Sequence, residues 1–346
     1  MNRVVMIRIP EVGVQPEGKP GRCGGCGGSR LERWGRSKRR VRDVEVKEVE
    51  AVRWRCRDCG RTMREYPCGV GRASQTERVR VLVAIGWSLG LSLRAVVWWM
   101  AATVGVRLGV TTAWRDVRAV AEAMRRRRPA RVRVLGVDGT GVRWGGQTRG
   151  MVVAVDLGTG RPVALAAVDE RSPEAVRAWL QPLVEAYGVE VMVTDDLGTY
   201  RAVAEALGVR HRVCGFHRLR WALRALRALK SRVSRAWWPI VDEAMTIVRS
   251  RSPDGGRRLA ELWRRMALRL RRSGKRAPPE RLRLLLARLS DHWHTWMPED
   301  GVPSTNNRTE QSIGRVKFRL RSTRGLKTWA GVEAAFWLTQ ASALLV

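Results

Sequence analysis

Between residues 131 and 213 the chain changes its hydrophobic period in a fixed order, and that order limits the folds open to it. Residues 131–138 read as a strand that ends on the carboxylate of Asp138. Residues 150–157 and 162–168 read as two more strands, separated by the hairpin signal Gly158-Thr159-Gly160. A helix opens at Ser172-Pro173-Glu174, where serine before a proline in the first turn is a start signal, and runs to Tyr187. Residues 189–194 form a buried strand ending on Asp195 and Asp196, followed by a short helix over 197–207 and a strand over 209–213. The expected product is one α/β sheet. If its first and fourth strands lie adjacent and parallel, their tips bring Asp138 and Asp195 side by side.

Paired carboxylates at such tips suit hard divalent cations, Mg²⁺ or Mn²⁺, because both prefer oxygen ligands. Two such ions stabilise the attacking and leaving oxygens of an in-line phosphoryl displacement. A third carboxylate is expected to complete the cage. Glu310 follows a polar cap cluster at 303–307 and falls in the early turns of a helix, whereas Glu299 lies in a proline-rich loop. Asp195 directly follows the apolar strand and is taken as the second acid; its neighbour Asp196, whose side chain points in a different direction, is the alternative. Asp156 and Asp169 read as turn residues.

The charge names the kind of partner. Sixty-six Lys and Arg against 32 Asp and Glu give +34 and a pI near 11.6, while 45% hydrophobic residues leave enough apolar surface to fold. Such an excess points to a polyanion, with nucleic acid first. The start is interrupted by Arg3, Arg8 and Glu11, so secretion is not expected. The most apolar stretch, 81–106, is broken by Arg94, and its runs are too short to span a bilayer. No membrane partner is expected, and the expected location is the cytoplasm, at the nucleoid.

Four of six cysteines form two pairs, Cys23-Gly-Gly-Cys26 and Cys56-Arg-Asp-Cys59, with 29 residues between. Two such knuckles supply the soft ligands of a structural Zn²⁺ site. Residues 41–49 alternate apolar and charged, as a half-exposed strand of a zinc ribbon would. Cys68 is left over as a free cysteine. Helices are expected over 75–89, from Ser92 to Trp99, and over 113–124 with Thr111 or Thr112 as cap. Helix, glycine turn and capped helix together have the form of a helix-turn-helix, in which Thr112, Arg115 and Arg118 would face DNA. Arg125, Arg126, Arg127 and Arg128 would follow as a phosphate-touching linker.

Four motifs carry a resemblance: Asp138-Gly139-Thr140, Thr194-Asp195 followed by Tyr200, Asn306-Asn307-x-x-Glu310, and Cys214-Gly215-Phe216-His217. In this order they resemble the DDE transposases of bacterial and archaeal insertion sequences, and the related Mutator-like class. The resemblance implies a ribonuclease-H-like α/β catalytic domain with a mixed five-stranded sheet and an all-helical insertion. A zinc ribbon (1–70) and a helix-turn-helix domain with basic linker (71–130) would precede the catalytic domain (131–346). The second and third acids are 115 positions apart, so an insertion is expected over about 218–298, with its tryptophans mostly in the core. From Cys214 to Pro298 that region holds 21 basic and six acidic residues.

The resemblance further implies Asp138, Asp195 and Glu310 as catalytic and metal-holding residues. It implies double-stranded DNA as partner, both terminal inverted repeats and target, bound by a dimer. Arg315, Lys317, Arg319, Arg321, Arg324 and Lys327 would clamp phosphates. Cys214 and His217 stand as a family signature, because a Cys-x-x-His recurs at that place in the Mutator-like relatives. The residues alone read as a buried thiol and a packing or DNA-contacting histidine, and a second metal site there would need two further ligands. The alternatives are a transposase-derived regulator without catalysis and a nuclease that cuts without joining.

Overall fold

A computed structural model describes residues 9–127, 129–273, 279–323 and 325–340. Arg128 and Arg324, both expected to contact phosphates, lie outside the described residues. The chain divides into two compact units. One comprises Met1–Arg128, Val142–Thr148 and Gly314–Val346; the other comprises Pro129–Gly141 and Arg149–Ile313.

In the first unit, β1 (Leu31–Arg40), β2 (Glu48–Cys56) and β3 (Thr62–Glu65) form an antiparallel sheet in chain order. The strand expected over 41–49 is mostly a turn. Asp43 accepts from the backbone N–H groups of Glu45 and Val46 through Oδ1, a local bond that competes with extended pairing. Asp43 also accepts from the hydroxyl of Thr76 at 2.5 Å. Val41, before the turn, and Val49, already in β2, pack with Val70, so the alternation reflects burial across a turn and not one continuous strand.

Three helices follow: α1 (Glu77–Ser88) capped by Thr76, α2 (Leu93–Val104) capped by Ser92, and α3 (Val110–Arg126). The third starts earlier than its threonines suggested. Gly109 is its N-cap, without a side-chain cap bond, so Thr111 and Thr112 are helical residues. The second helix is also longer than expected, ending at the left-handed Gly105.

The second unit is built on a five-stranded mixed sheet. Its strands are β4 (Val134–Trp144), β5 (Gln147–Asp156), β6 (Pro162–Ala166), β7 (Val191–Thr194) and β8 (Arg210–Val213), in the order β6-β5-β4-β7-β8. The first and fourth strands of this series are indeed adjacent and parallel, with Gly136 opposite Val193. β8 continues parallel to β7, and β6 runs antiparallel to β5. One strand departs from expectation: β4 does not end on Asp138 but runs on to Trp144.

α4 (Pro173–Tyr187) opens at Ser172 as predicted and closes at left-handed Gly188, and α5 (Gly198–Ala206) links β7 to β8. Leu135 and Val137 of β4 and Met192 of β7 pack with Val176 and Leu180 of α4 and with Tyr200 and Val203 of α5. Val134, Val191 and Val193 fill the other face with Leu157 and Val302.

The expected helical insertion is α6 (Gly215–Lys230), α7 (Trp238–Ser250), α8 (Gly255–Ser273) and α9 (Pro279–Asp291), with 3-10 turns at Arg235–Trp237 and Trp293–Trp296. It has its own core, including Leu226, Ile247, Leu259, Leu262 and Leu286. Of the tryptophans assigned to that core, Trp237 and Trp293 are buried, while Trp221 and Trp238 are exposed.

Two helices close the chain, α10 (Asn307–Ser322) and α11 (Trp329–Thr339). Within the first unit α11 packs on α1 and α3, burying Val332, Ala335, Phe336 and Trp337. Arg319 corrects one expectation: it is no phosphate clamp. Its guanidinium is fully buried 4.3 Å from the Trp87 ring centroid, and it donates to Ser322 Oγ and to the Leu91 carbonyl. Burial pulls its pKa down to about 10. No helix among the described residues is long and apolar enough to cross a membrane.

Candidate active site

Asp138 lies within β4, Asp195 follows β7 directly, and Glu310 sits in the first turn of α10. The parallel pairing of β4 and β7 sets the two aspartates at one level. Glycine permits the approach of α10: a side chain at Gly136 would collide with Asn306 Oδ1, Thr309 Oγ1 and Leu157. Asn306 is buried and donates its Nδ2 to the Val137 carbonyl at 2.9 Å. Its Oδ1 accepts from the hydroxyl of Thr309 at 2.6 Å. The start of α10 is thereby fastened to the residue before Asp138.

Asp138 feels the acids around it. The Asp138 carboxyl is pushed up to about 7, first by burial, then by the charges of Asp195 and Glu310, with the Gly139 N–H opposing and Glu170 adding to the rise. Glu170 is a fourth acid that sequence reasoning missed. Burial and the charge of Asp195 raise it, while the Tyr200 hydroxyl, donating at 3.3 Å, holds it back. Gly139 makes room for it, since a side chain there would meet the Glu170 carboxylate. The signal available was Gly139 itself, beside an acid that follows β6.

Asp195 and Asp196 point apart. Asp195 accepts from the Leu197 N–H at 3.2 Å, and its charge reaches Asp138, Glu170 and Tyr200. Asp196 pairs with Arg201 at 3.3 Å and faces a cavity of about 310 Å³ lined also by His211, Arg218, Trp221 and Arg288. Burial and the charges of Arg201 and Arg218 lower His211 to about 4. It is therefore neutral at physiological pH, and its Nε2 lies 2.8 Å from Thr194 Oγ1.

The remaining acids weighed from sequence are occupied elsewhere. Glu299 forms ion pairs with Arg210 and Arg212, both at 2.6 Å. Asp156 caps the Gly158-Thr159 turn, and Asp169 accepts from the Arg171 N–H.

Glu310 leans to a second group. Among the described residues, side-chain ligand atoms of Cys214, His217 and Glu310 lie within 4.8 Å of one another, whereas Asp138, Asp195 and Glu310 do not form such a group. A groove beside Asp195 is lined by Asp196, His217, Arg220, Trp221 and Arg224. Arg220 and Arg224 were also missed, although their one-turn spacing on α6, continued from His217, places all three on one face.

The four N-terminal cysteines converge. Cys23 Sγ lies 3.7 Å from Cys59 Sγ, and Cys26 Sγ lies 3.6 Å from Cys56 Sγ. A tetrahedron of Zn–S bonds has edges of about 3.8 Å, so the set fits zinc. The backbone N–H groups of Cys26 and Gly25 pull the Cys23 thiol down to about 6. At Cys26 the Gly28 N–H acts the same way, but the sulfurs of Cys59 and Cys56 outweigh it and push the thiol up to about 12. Cys68 is free and exposed.

The expected DNA-facing residues of the first unit have mixed settings. Arg115 and Arg118 of α3 are exposed and Thr112 is half-buried; Arg127, just past the helix, is exposed. Arg125 and Arg126 pair with Glu122, whose carboxyl they hold down at about 2, the Arg125 hydrogen bond contributing most. On α10, Arg321 is exposed, Lys317 half-buried, and Arg315 donates to Gln340 Oε1 at 3.2 Å.

The family model described as "Transposase IS66 family" matches residues 108–334, more than half of the chain. No curated protein matches. One solved structure similar to the chain is the cryo-electron-microscopy structure of the simian T-cell lymphotropic virus intasome in complex with the PP2A regulatory subunit B56 gamma. The identity is 13% and the TM-score 0.20, over 43% of this chain and 61% of that one. The chain thus spans less than two thirds of that solved chain.

Proposed function

The chain belongs to the IS66 family of transposases, and from that premise we propose that it cuts DNA at the ends of an insertion sequence and joins the freed ends to target DNA. The observation that carries this reading is the placement of three acids from separate elements: Asp138 and Asp195 at one level of the paired strands β4 and β7, and Glu310 on the helix that Asn306 fastens to Val137. The strand order β6-β5-β4-β7-β8 further supports a ribonuclease-H-like catalytic sheet.

The donor set suits hard divalent cations, Mg²⁺ or Mn²⁺. It offers carboxylate oxygens, and among the described residues no arginine or lysine forms an ion pair with Asp138 or Asp195 in a chain of +34. When bound, two such cations supply Lewis-acid stabilisation of the attacking and leaving oxygens. Asp138 and Asp195 would hold them from the sheet and Glu310 from α10. Asp138, carrying a proton near neutrality, must release it to become a ligand. Arg220 and Arg224 would steer a phosphate backbone along the groove toward Asp195.

Cys23, Cys26, Cys56 and Cys59 would hold a structural Zn²⁺ in an N-terminal ribbon. The segment α1–α3 would act as a helix-turn-helix on the terminal repeats, with Thr112, Arg115 and Arg118 toward DNA. Assembly as a dimer would bring two element ends together.

The test is a strand-cutting and strand-transfer assay with DNA carrying the element's ends and a supercoiled target. Asp138→Asn, Asp195→Asn and Glu310→Gln should each lose cutting on the order of 10³-fold while DNA binding persists. Wild-type protein that binds without cutting is a regulator, and one that cuts without joining is a nuclease. A Glu310→Gln protein that cuts and joins at the normal rate would remove Glu310 from the set.

A further inference from the structure

Three chain groups with metal-ligand chemistry meet at the start of α6. Cys214 is its N-cap and His217 stands three residues on, so both face the same side of the first turn. Glu310, from α10, completes the group: its ligand atom and those of Cys214 and His217 lie within 4.8 Å of one another. His217 Nδ1 and Glu310 Oε1 face each other at 3.7 Å, too far for a hydrogen bond. Each of these atoms is buried and has no hydrogen-bond partner. Buried polar atoms left unpaired cost stability unless something else satisfies them.

The local backbone fixes the group. Cys214 is fully buried, and its sulfur accepts from the Asn306 N–H at 3.3 Å, which fixes it beside the other two ligand atoms. The Gly215 N–H donates to the Ser304 carbonyl at 2.8 Å. The segment before α10 is thus laid against the first turn of α6 twice. A water could satisfy one nitrogen and one oxygen, but it would leave the sulfur, the softest donor of the three, without the partner it suits best. A borderline-soft cation serves all three donors.

We propose that Cys214 Sγ, His217 Nδ1 and Glu310 Oε1 form a binding site for a thiophilic divalent cation of the zinc class, separate from the four-cysteine cluster. Three chain ligands leave a fourth position open. Edges of a tetrahedral site with these donors run about 3.3–3.7 Å, so the group closes by small side-chain movements. The occupied site holds Glu310 on the α6 side. On the catalytic reading above, on which this consequence rests, zinc-class and magnesium-class cations then compete for one glutamate.

The experiment uses the full chain, purified free of metal and carrying Cys68→Ser to remove the exposed thiol. Cobalt(II) is the probe, because charge transfer from thiolate reports sulfur ligation and ignores oxygen-only sites. Two equivalents with thiolate charge transfer are expected, one of them with the weaker band of a single thiolate. Cys214→Ala removes that equivalent. His217→Gln, at a half-buried position, weakens it by at least about 10-fold. Asp138→Asn retains both.

A single equivalent in the Cys68→Ser chain overturns the site, as does unchanged two-equivalent binding in His217→Gln. Cutting with Mg²⁺ is measured separately on the same protein. A chain that cuts but binds one cobalt sinks this site alone, and one that binds two but never cuts sinks the catalytic reading alone.

Discussion

Asn306, four residues before Glu310, donates its side-chain amide at 2.9 Å to the backbone oxygen of Val137, one residue before Asp138. The bond ties the strand that carries one acid to the helix that carries another. Asn306→Ala strands the Val137 carbonyl and the Thr309 hydroxyl in a buried setting. We expect a loss of about 1–3 kcal/mol, read from urea unfolding. Cutting should fall further than DNA binding, since the acids lose their common fastening. An unfolding midpoint equal to that of wild type would remove Asn306 from this role.

Asp138 makes stability depend on pH. Its folded pKa, about 7, lies above its ordinary value of 3.8, so the folded chain binds this proton more tightly than the unfolded chain. The proton's contribution is fully present below about pH 4 and is lost as pH rises to about 7. Asp138→Asn cannot ionise. Without divalent cations at pH 8 it should be more stable than wild type, by on the order of a few kcal/mol, with the gap closing toward pH 4. Thermal unfolding at the two pH values decides this; an equal gap at both would contradict it.

Glu170 tunes the same proton. Its negative charge contributes to the rise at Asp138, so Glu170→Gln should lower that pKa. At limiting Mg²⁺ the rate of cutting should fall as pH drops below about 7 in the wild type. In the variant the fall should begin at lower pH. A profile that does not move, or moves upward, would exclude Glu170 from the site's electrostatics.

If the four cysteines hold zinc as proposed, breaking their site should affect one module. Cys56→Ser breaks the cluster of four sulfurs at the end of β2, and a site of this kind supplies folding energy directly. Hydrogen exchange across 23–65 should accelerate by at least about tenfold, while β4–β8 exchange as before. Uniform acceleration through the chain would show that the module does not fold as its own unit.

Two arginines two residues apart on α10 should behave oppositely. Arg319→Ala removes the buried guanidinium packed on Trp87 and should cost about 1–3 kcal/mol of stability. Arg321 is exposed, and Arg321→Ala should leave stability within about 0.5 kcal/mol. The latter should instead reduce the salt dependence of DNA binding by about one unit of slope. The reverse pattern would return Arg319 to the phosphate-facing set.

Much of the sheet was legible because buried strands and an amphipathic helix have distinct periods: α4 begins at Pro173 and ends at Tyr187 as its cap and its closing glycine suggest. The pairing of the cysteines was legible too, because CxxC spacing fixes a local turn. Other features depend on distant partners. The alternation around Val41 is the same for a strand or a turn until Asp43 meets the backbone of Glu45 and the hydroxyl of Thr76. The burial of Arg319 depends on Trp87, more than two hundred residues earlier in the chain. Glu170 was hidden because its closeness to Asp138 is set by the bare α-carbon of Gly139. The meeting of Cys214 and His217 with Glu310 likewise needs α6 and α10 in space.

β4 continues past Asp138 to Trp144 before the Gly145-Gly146 turn leads into β5, its neighbour in the sheet. An acid at the loose end of a strand is aimed by a loop and can swing. One in mid-strand is aimed by the pleat, which sets the face of the sheet that its side chain takes. Asp138 is therefore a fixed post. Glu310 has the longer side chain and a seat on a helix, so on the catalytic reading proposed above it is the acid with reach left to adjust, and the helix rather than the sheet would set when the three act together.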